Sequence, residues 1–174
     1  MREYLPRIGR FLSALSNLAL WLAGIGLVLM TAFVAWQVWG RYVLNASPSW
    51  TEPASVMLMS WFIFLGSAVG VRENFHLGFD VLLYAMPKAR GVLRTISDVL
   101  VMGFGIGMVV YGGKLVALTW DSTMPALGLP GGLDYVPIVA GGILVTLFSL
   151  ERMVLRFAGE PVDIDAVIAE EAAI

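Results

Sequence analysis

The sequence predicts an all-α integral membrane protein with four transmembrane helices, a short interfacial helix and both termini in the cytoplasm. Three observations carry this expectation. Of its 174 residues 59% are hydrophobic and only 14% charged, with a mean hydropathy of +0.82, whereas a soluble domain is typically about 25% charged. Apolar runs long enough, with their flanks, to cross a bilayer recur four times. Nine of the eleven lysines and arginines fall in segments that alternate crossing brings to one side. So little polar surface cannot cover a core in water, which excludes a soluble enzyme of this size. The absence of cysteine removes disulfides, thiolate catalysis and thiolate metal sites, and a single histidine, His76, cannot supply a His-based metal cluster. No cofactor, metal or nucleic-acid partner is expected of the chain.

The first span is read at 14–40, inside the 30 charge-free residues between Arg10 and Arg41. That run exceeds the roughly 20 residues that cross the hydrocarbon and the about 7 to 15 of a cleaved signal peptide, so it reads as a retained anchor. The second, 53–72, uses the 19 residues from Pro53 to Val71, and Glu52-Pro53 reads as a helix start. In the third, 95–117, only 15 charge-free residues separate Asp98 from Lys114. Sixteen helical steps set these two about 24 Å apart, so each belongs near an opposite membrane surface, with Lys114 snorkelling along its own stem. The fourth, 135–157, continues past Glu151 and Arg152.

Between spans two and three, 77–86 is apolar, interrupted by Asp80 and closed by Pro87, and too short to cross. The loop from Asp121 to Asp134, with Pro125, Gly128, Pro130, Gly131 and Gly132, cannot be a regular helix and is expected as an ordered, re-entrant or turn structure. Residues 158–174 form an acidic tail carrying Glu160, Asp163, Asp165, Glu170 and Glu171; without these five, 11 bases face 8 acids, a balance suited to contact with anionic lipid headgroups. The positive-inside rule puts Arg2, Arg7, Arg10, Arg72, Lys88, Arg90, Arg94, Arg152 and Arg156 in the cytoplasm. Trp36, Trp39, Tyr42, Trp50, Trp120 and Tyr135 then collect at the outer interface, where amphipathic rings prefer to sit.

A carrier or channel needs polar groups or broken helices at mid-membrane depth. Here only Thr31, Gln37, Ser55, Ser60, Ser67, Thr146 and Ser149 are available, and each is expected to bond its own helix or a neighbour. Gly66-x-x-x-Gly70 and Gly103-x-x-x-Gly107 are small-residue seams that serve internal packing or a partner equally well. Arg72, His76 and Asp80 follow i, i+4 spacing and read as a cytoplasmic interfacial turn, and Arg94 with Asp98, also four apart, reads as a local pair.

One ordered set of residues resembles a known family. The run Arg41-Tyr42-Val43-Leu44-Asn45, then Trp50-Thr51-Glu52, Phe64-Leu65-Gly66-Ser67-Ala68, Arg72, His76, Asp80 and Met86-Pro87, is similar to the small membrane subunit of tripartite ATP-independent periplasmic (TRAP) transporters, the DctQ-like family. Pro125-Ala126-Leu127-Gly128-Leu129-Pro130 followed by Tyr135-Val136-Pro137 resembles that family's outer loop and last helix. The likeness extends from Arg41 to Arg152. Pro53 stands where the family often has a second acidic residue, so no role is assigned to a paired carboxylate there.

The resemblance implies a non-catalytic subunit in the bacterial inner membrane with two partners, a large membrane subunit and a transiently bound periplasmic substrate-binding protein. The large subunit would hold the sodium and substrate sites, move as an elevator and import an organic anion such as a dicarboxylate. The chain itself would be a fixed scaffold needing no cofactor. It also implies contact roles: Arg41, Tyr42, Trp50 and Glu52 at the outer face, and Arg72, His76 and Asp80 anchoring the cytoplasmic side. A self-sufficient small oligomeric transporter or channel, and a membrane assembly factor or sensor, are the competing readings.

Overall fold

The computed structural model describes residues 5–46, 48–73 and 90–157. Four long helices dominate: α1 (Leu5–Tyr42), α2 (Thr51–Arg72), α3 (Arg90–Thr119) and α4 (Val136–Phe157), the last preceded by a 3-10 helix at Gly131–Tyr135. All four are long and apolar enough to cross a membrane. The expected interfacial segment 77–86 and the acidic tail lie outside the described residues.

At 1.5 Å per residue α2 and α4, each 22 residues, are about 33 Å long, close to the ~30 Å hydrocarbon thickness. α1 and α3, with 38 and 30 residues, are longer than the charge-free runs inside them. A charge near a helix end does not stop the helix, because its side chain can leave the apolar layer while the backbone bonds continue.

Successive helices run in opposite directions. α1 packs on α2, α2 on α4 and α4 on α3, while no extensive contact joins α1 to α3. On α1 the residues Leu12, Ser16, Ala19, Ala23 and Gly26 recur every three or four positions and are buried; these small side chains let the neighbouring backbone come close. Leu65, Ala68, Val69 and Val71 from α2 and Leu144, Val145 and Phe148 from α4 complete the core, where Ala68 and Phe148 are fully buried. The terminal helices keep broad apolar faces outside it: Trp21 is 73% exposed, Phe104 71% and Leu118 81%. Such a face needs a lipid or protein covering.

The connections at the far end from Arg72 are built by local bonds. After α1, the Ala46 amide donates to the Gly40 carbonyl at 3.1 Å, and Asn45 takes the left-handed conformation (φ 51°) that this turn requires. The Thr51 hydroxyl donates to the Pro48 carbonyl at 2.8 Å, at the start of α2. The loop after α3 closes on itself. Thr123 and Pro130 form an antiparallel bridge, the Met124 amide donates to Leu129 at 2.8 Å, and the Gly128 amide donates to Met124 at 2.8 Å with Gly128 at φ 66°. The loop is thus an ordered hairpin that feeds the 3-10 helix and α4.

Candidate functional site

The polar groups gather at the two ends of the helices, and the first cluster lies where α2 and α4 terminate. Glu151 and Arg152 are neighbours on α4, so their side chains leave the helix about 100° apart and reach different partners. Glu151 receives Arg72 of α2, with Nε donating to Oε2 at 3.1 Å. The same guanidinium donates through Nη2 to the Ser13 hydroxyl of α1 at 2.7 Å and lies 5.7 Å above the Phe148 ring.

Arg152 turns the other way. Its Nη1 donates to the Val71 carbonyl at 2.6 Å, and its Nη2 sits 3.2 Å from Asp98 Oδ1 on α3. Val71 lies in the last turn of α2, where carbonyls have no helical partner and a cation is favoured. Two adjacent residues thereby tie all four helices at one end. Both ion pairs are largely withdrawn from solvent, with Asp98 3% and Arg152 10% exposed at the side chain.

The sequence signal for this cluster was an opposite-charge doublet that did not end the apolar run of α4. Spacing offered Arg72 the partners His76 and Asp80. Among the described residues α2 ends at Arg72 with Glu73 as its cap, and Arg72 bonds Glu151 and Ser13; His76 and Asp80 lie outside the described residues. Asp98 has a long-range partner in Arg152 of α4, which spacing along its own helix could not show.

The interior between the two ends carries no Asp, Glu, Lys, Arg or His in any of the four helices. Its hydroxyls mostly turn back on their own helices: Thr31 donates to Leu27, Ser55 to Thr51, Ser60 to Val56 and Thr146 to Gly142, at 2.7 to 3.1 Å. Ser149 Oγ is buried with no hydrogen-bond partner among the described residues. Among the described residues no group of three or more His, Cys, Asp or Glu side chains could hold a metal ion.

At the loop end, Arg41, Tyr42, Trp50 and Glu52 are all exposed. The Trp50 ring meets Phe33 of α1 edge to face at 5.3 Å, and Trp36 and Trp39 lie 5.3 Å apart. Lys114 sits at this end too, its Nζ 5.5 Å from the Tyr111 ring centre. The structure brings Trp50 onto α1, while Arg41 and Glu52 form no ion pair with each other.

Gly66, Gly103 and Gly107 are not points of close helix approach within the described residues. A Cβ added at Gly66, Gly103 or Gly107 would meet nothing within 4 Å. Close approach occurs between α3 and α4 instead, where a Cβ at Gly142 would lie 2.8 Å from Met108 Cβ and 2.9 Å from the Gly105 carbonyl. A Cβ at Gly105 would press on Thr146, one at Gly141 on Phe64, and one at Gly112 on Ile138 and Val139.

Known proteins are similar to this chain over most of its length. A model of the family described as "Tripartite ATP-independent periplasmic transporters, DctQ component" matches residues 30–159. A protein of Haemophilus influenzae named as a TRAP transporter small permease is 32% identical over 130 residues, 74% of this chain and 80% of its own length. The C4-dicarboxylate TRAP transporter small permease protein DctQ of Vibrio cholerae is 24% identical over 63% of this chain and 46% of its own length. The sialic acid TRAP transporter small permease protein SiaQ of the same species is 22% identical over 81% of this chain and 86% of its own length. Four apolar helices with their charges confined to the two ends, and a family match over most of the length, establish that this chain belongs to the DctQ-component family of small membrane subunits of TRAP transporters.

Proposed function

We propose that the chain is the non-catalytic small subunit of a sodium-driven secondary transporter in the bacterial inner membrane. It braces a large elevator-type membrane subunit that carries an organic anion delivered by a periplasmic binding protein. The observation that carries this reading is the distribution of polar groups. A carrier replaces the water shell of its solute with ligands at mid-depth, and this interior has no charged group and hydroxyls largely occupied by their own helices. The broad apolar faces of α1 and α3 are the complement, surfaces suited to a larger membrane neighbour.

Relatives named for C4-dicarboxylates and for sialic acid support an organic anion as cargo, selected by other chains of the system. The excess of arginines where α2 and α4 terminate supports a cytoplasmic position for that end and for both termini. The exposed set Arg41, Tyr42, Trp50 and Glu52 then faces the periplasm, available to the binding protein or the large subunit. Arg72, with His76 and Asp80, anchors the cytoplasmic side.

Reconstitution tests the central statement. In proteoliposomes the chain alone is expected to give no uptake above protein-free vesicles. Together with the large subunit and loaded binding protein it is expected to give sodium-dependent uptake. Transport of a solute by the chain alone would overturn the proposal.

The outer rim has its own test. Trp50→Ala combined with Glu52→Gln is expected to reduce co-purification of the large subunit or the response to binding protein. The isolated chain should lose only the edge-to-face contact with Phe33, on the order of 1 kcal/mol. Unchanged assembly and uptake would reduce these residues to a helix start and a membrane anchor.

A further inference from the structure

We propose that the face of α3 turned away from α4 docks a helix of the large membrane subunit, and that this helix sets an aspartate or glutamate against the Lys114 ammonium. The proposal rests on the assembly stated above and names its point of contact. Depth comes first. Asp98 is bonded to Arg152 at the end where α2 terminates, and α3 from Asp98 to Thr119 is about 32 Å long, enough to cross the hydrocarbon. Lys114 therefore leaves the helix about 7 Å inside the outer boundary. Helical side chains lean toward the N-terminus of their own helix, which for α3 is the opposite surface. The ammonium follows that lean, with Nζ 5.5 Å from the centre of the Tyr111 ring, one turn deeper.

The ring gives a cation–π contact, but no carboxylate pairs with Lys114 among the described residues. The acidic residues of the adjoining loop, Asp121 and Asp134, belong to a segment that packs on the other side of α3. There a Cβ at Gly132 would lie 2.7 Å from the Val116 carbonyl, and Val116 is about 160° around the helix from Lys114. A charge within a membrane segment is costly alone and is found paired. The counter-charge must come from outside this chain.

The surface around Lys114 is shaped for a helix. At 100° per residue Lys114 stands about 180° from Gly105, the point of contact with α4, and shares its side with Leu100, Gly103, Gly107, Tyr111 and Leu118. Leu100 is 64% exposed and Tyr111 68%, while α3 packs extensively only on α4 and the 3-10 helix. Gly103 and Gly107, one turn apart and open, let a neighbouring backbone come close, and Lys114 lies two turns further along the same side. A second copy does not suit this face. Two chains inserted alike pair it about an axis along the membrane normal, which brings Lys114 against Lys114. A lipid phosphate lies at the surface from which the ammonium leans away. A carboxylate on a membrane helix meets both the charge and the glycine seam.

The purified chain is titrated in mixed micelles with the large membrane subunit that co-purifies with it from native membranes. Lys114→Met is expected to weaken association about 30-fold or more, as when one member of a desolvated charge pair is removed. Lys114→Glu is expected to weaken it at least as much, and Lys114→Arg to keep it. Unfolding of the isolated chain, followed by circular dichroism, is expected to be the same in all three, since Lys114 forms no ion pair within it. A photo-reactive maleimide on Leu118→Cys, the only cysteine the chain would then carry, reports the occupant. Illumination of the complex is expected to join it to a helix of the large subunit that carries an aspartate or glutamate. Unchanged association of Lys114→Met, or crosslinks to lipid or to a second copy alone, overturns the proposal and leaves the scaffold role standing. A chain that brings no large membrane subunit out of native membranes overturns both.

Discussion

Replacing Gly142 with leucine is expected to push α3 away from α4 and lower the stability of the isolated chain by about 3 kcal/mol, the upper range for overpacking a close contact. Even a methyl group at this position would lie 2.8 Å from Met108 Cβ and 2.9 Å from the Gly105 carbonyl. The carbonyl belongs to the α3 backbone and cannot swing aside, so the helix itself must move. Gly103→Leu and Gly107→Leu, which place the new side chain in open space, are expected to stay within about 0.5 kcal/mol of the unaltered chain. Unfolding in mixed micelles, followed by circular dichroism, compares the three. Equal losses at Gly103 and Gly142 would show that the seam has been assigned to the wrong glycines. The same outward variants then separate the two uses of a small-residue motif: if Gly103 and Gly107 seat a partner helix, they reduce co-purification of the large subunit while leaving the chain itself intact.

The second large effect concerns Arg152. Its replacement by leucine removes the hydrogen bond to the Val71 carbonyl and the ion pair with Asp98, whose side chain is 3% exposed. Removing one member of this buried ion pair is expected to cost about 3 to 5 kcal/mol. Glu151→Gln should cost less, because Arg72 keeps its bond to Ser13 and its side chain, 23% exposed, retains contact with water. Combining Arg152→Leu with Asp98→Leu is expected to recover much of the loss, since removing both buried charges also removes their desolvation penalty. Stability of the single and double variants, measured by the same unfolding, gives the coupling directly. A double variant no better than Arg152→Leu would show that the Val71 carbonyl, and not Asp98, is the partner that matters.

These two expectations also mark where sequence reading stops. Hydroxyls were readable: Thr31, Ser55, Ser60 and Thr146 each bond the carbonyl four residues back, a partner present in any helix. Charges near helix ends were readable as ends. Their cross-helix partners were not, because spacing along one helix proposes only neighbours at three or four residues, and the bonds of Arg72 to Glu151 and of Asp98 to Arg152 run between helices. The glycines give the same lesson. A spacing of four places Gly103 and Gly107 on one face but does not say whether that face meets a neighbour, and here the opposite face, through Gly105 and Gly112, is the one that does.

The amino-acid sequence by itself determined that this chain lives in lipid, crosses it four times and carries its charges at the ends, because hydropathy and charge act residue by residue against the bilayer. It also determined the family, through an ordered set of residues running from Arg41 to Arg152. Tertiary structure alone decided that α2 and α4 form the middle of the array, that Glu151 and Arg152 hold its end together, and that α1 and α3 keep open apolar faces. Inside a bilayer almost every helix face is apolar, so hydrophobicity cannot choose one face over another; the choice falls to close fit and to the few charges that must find a partner.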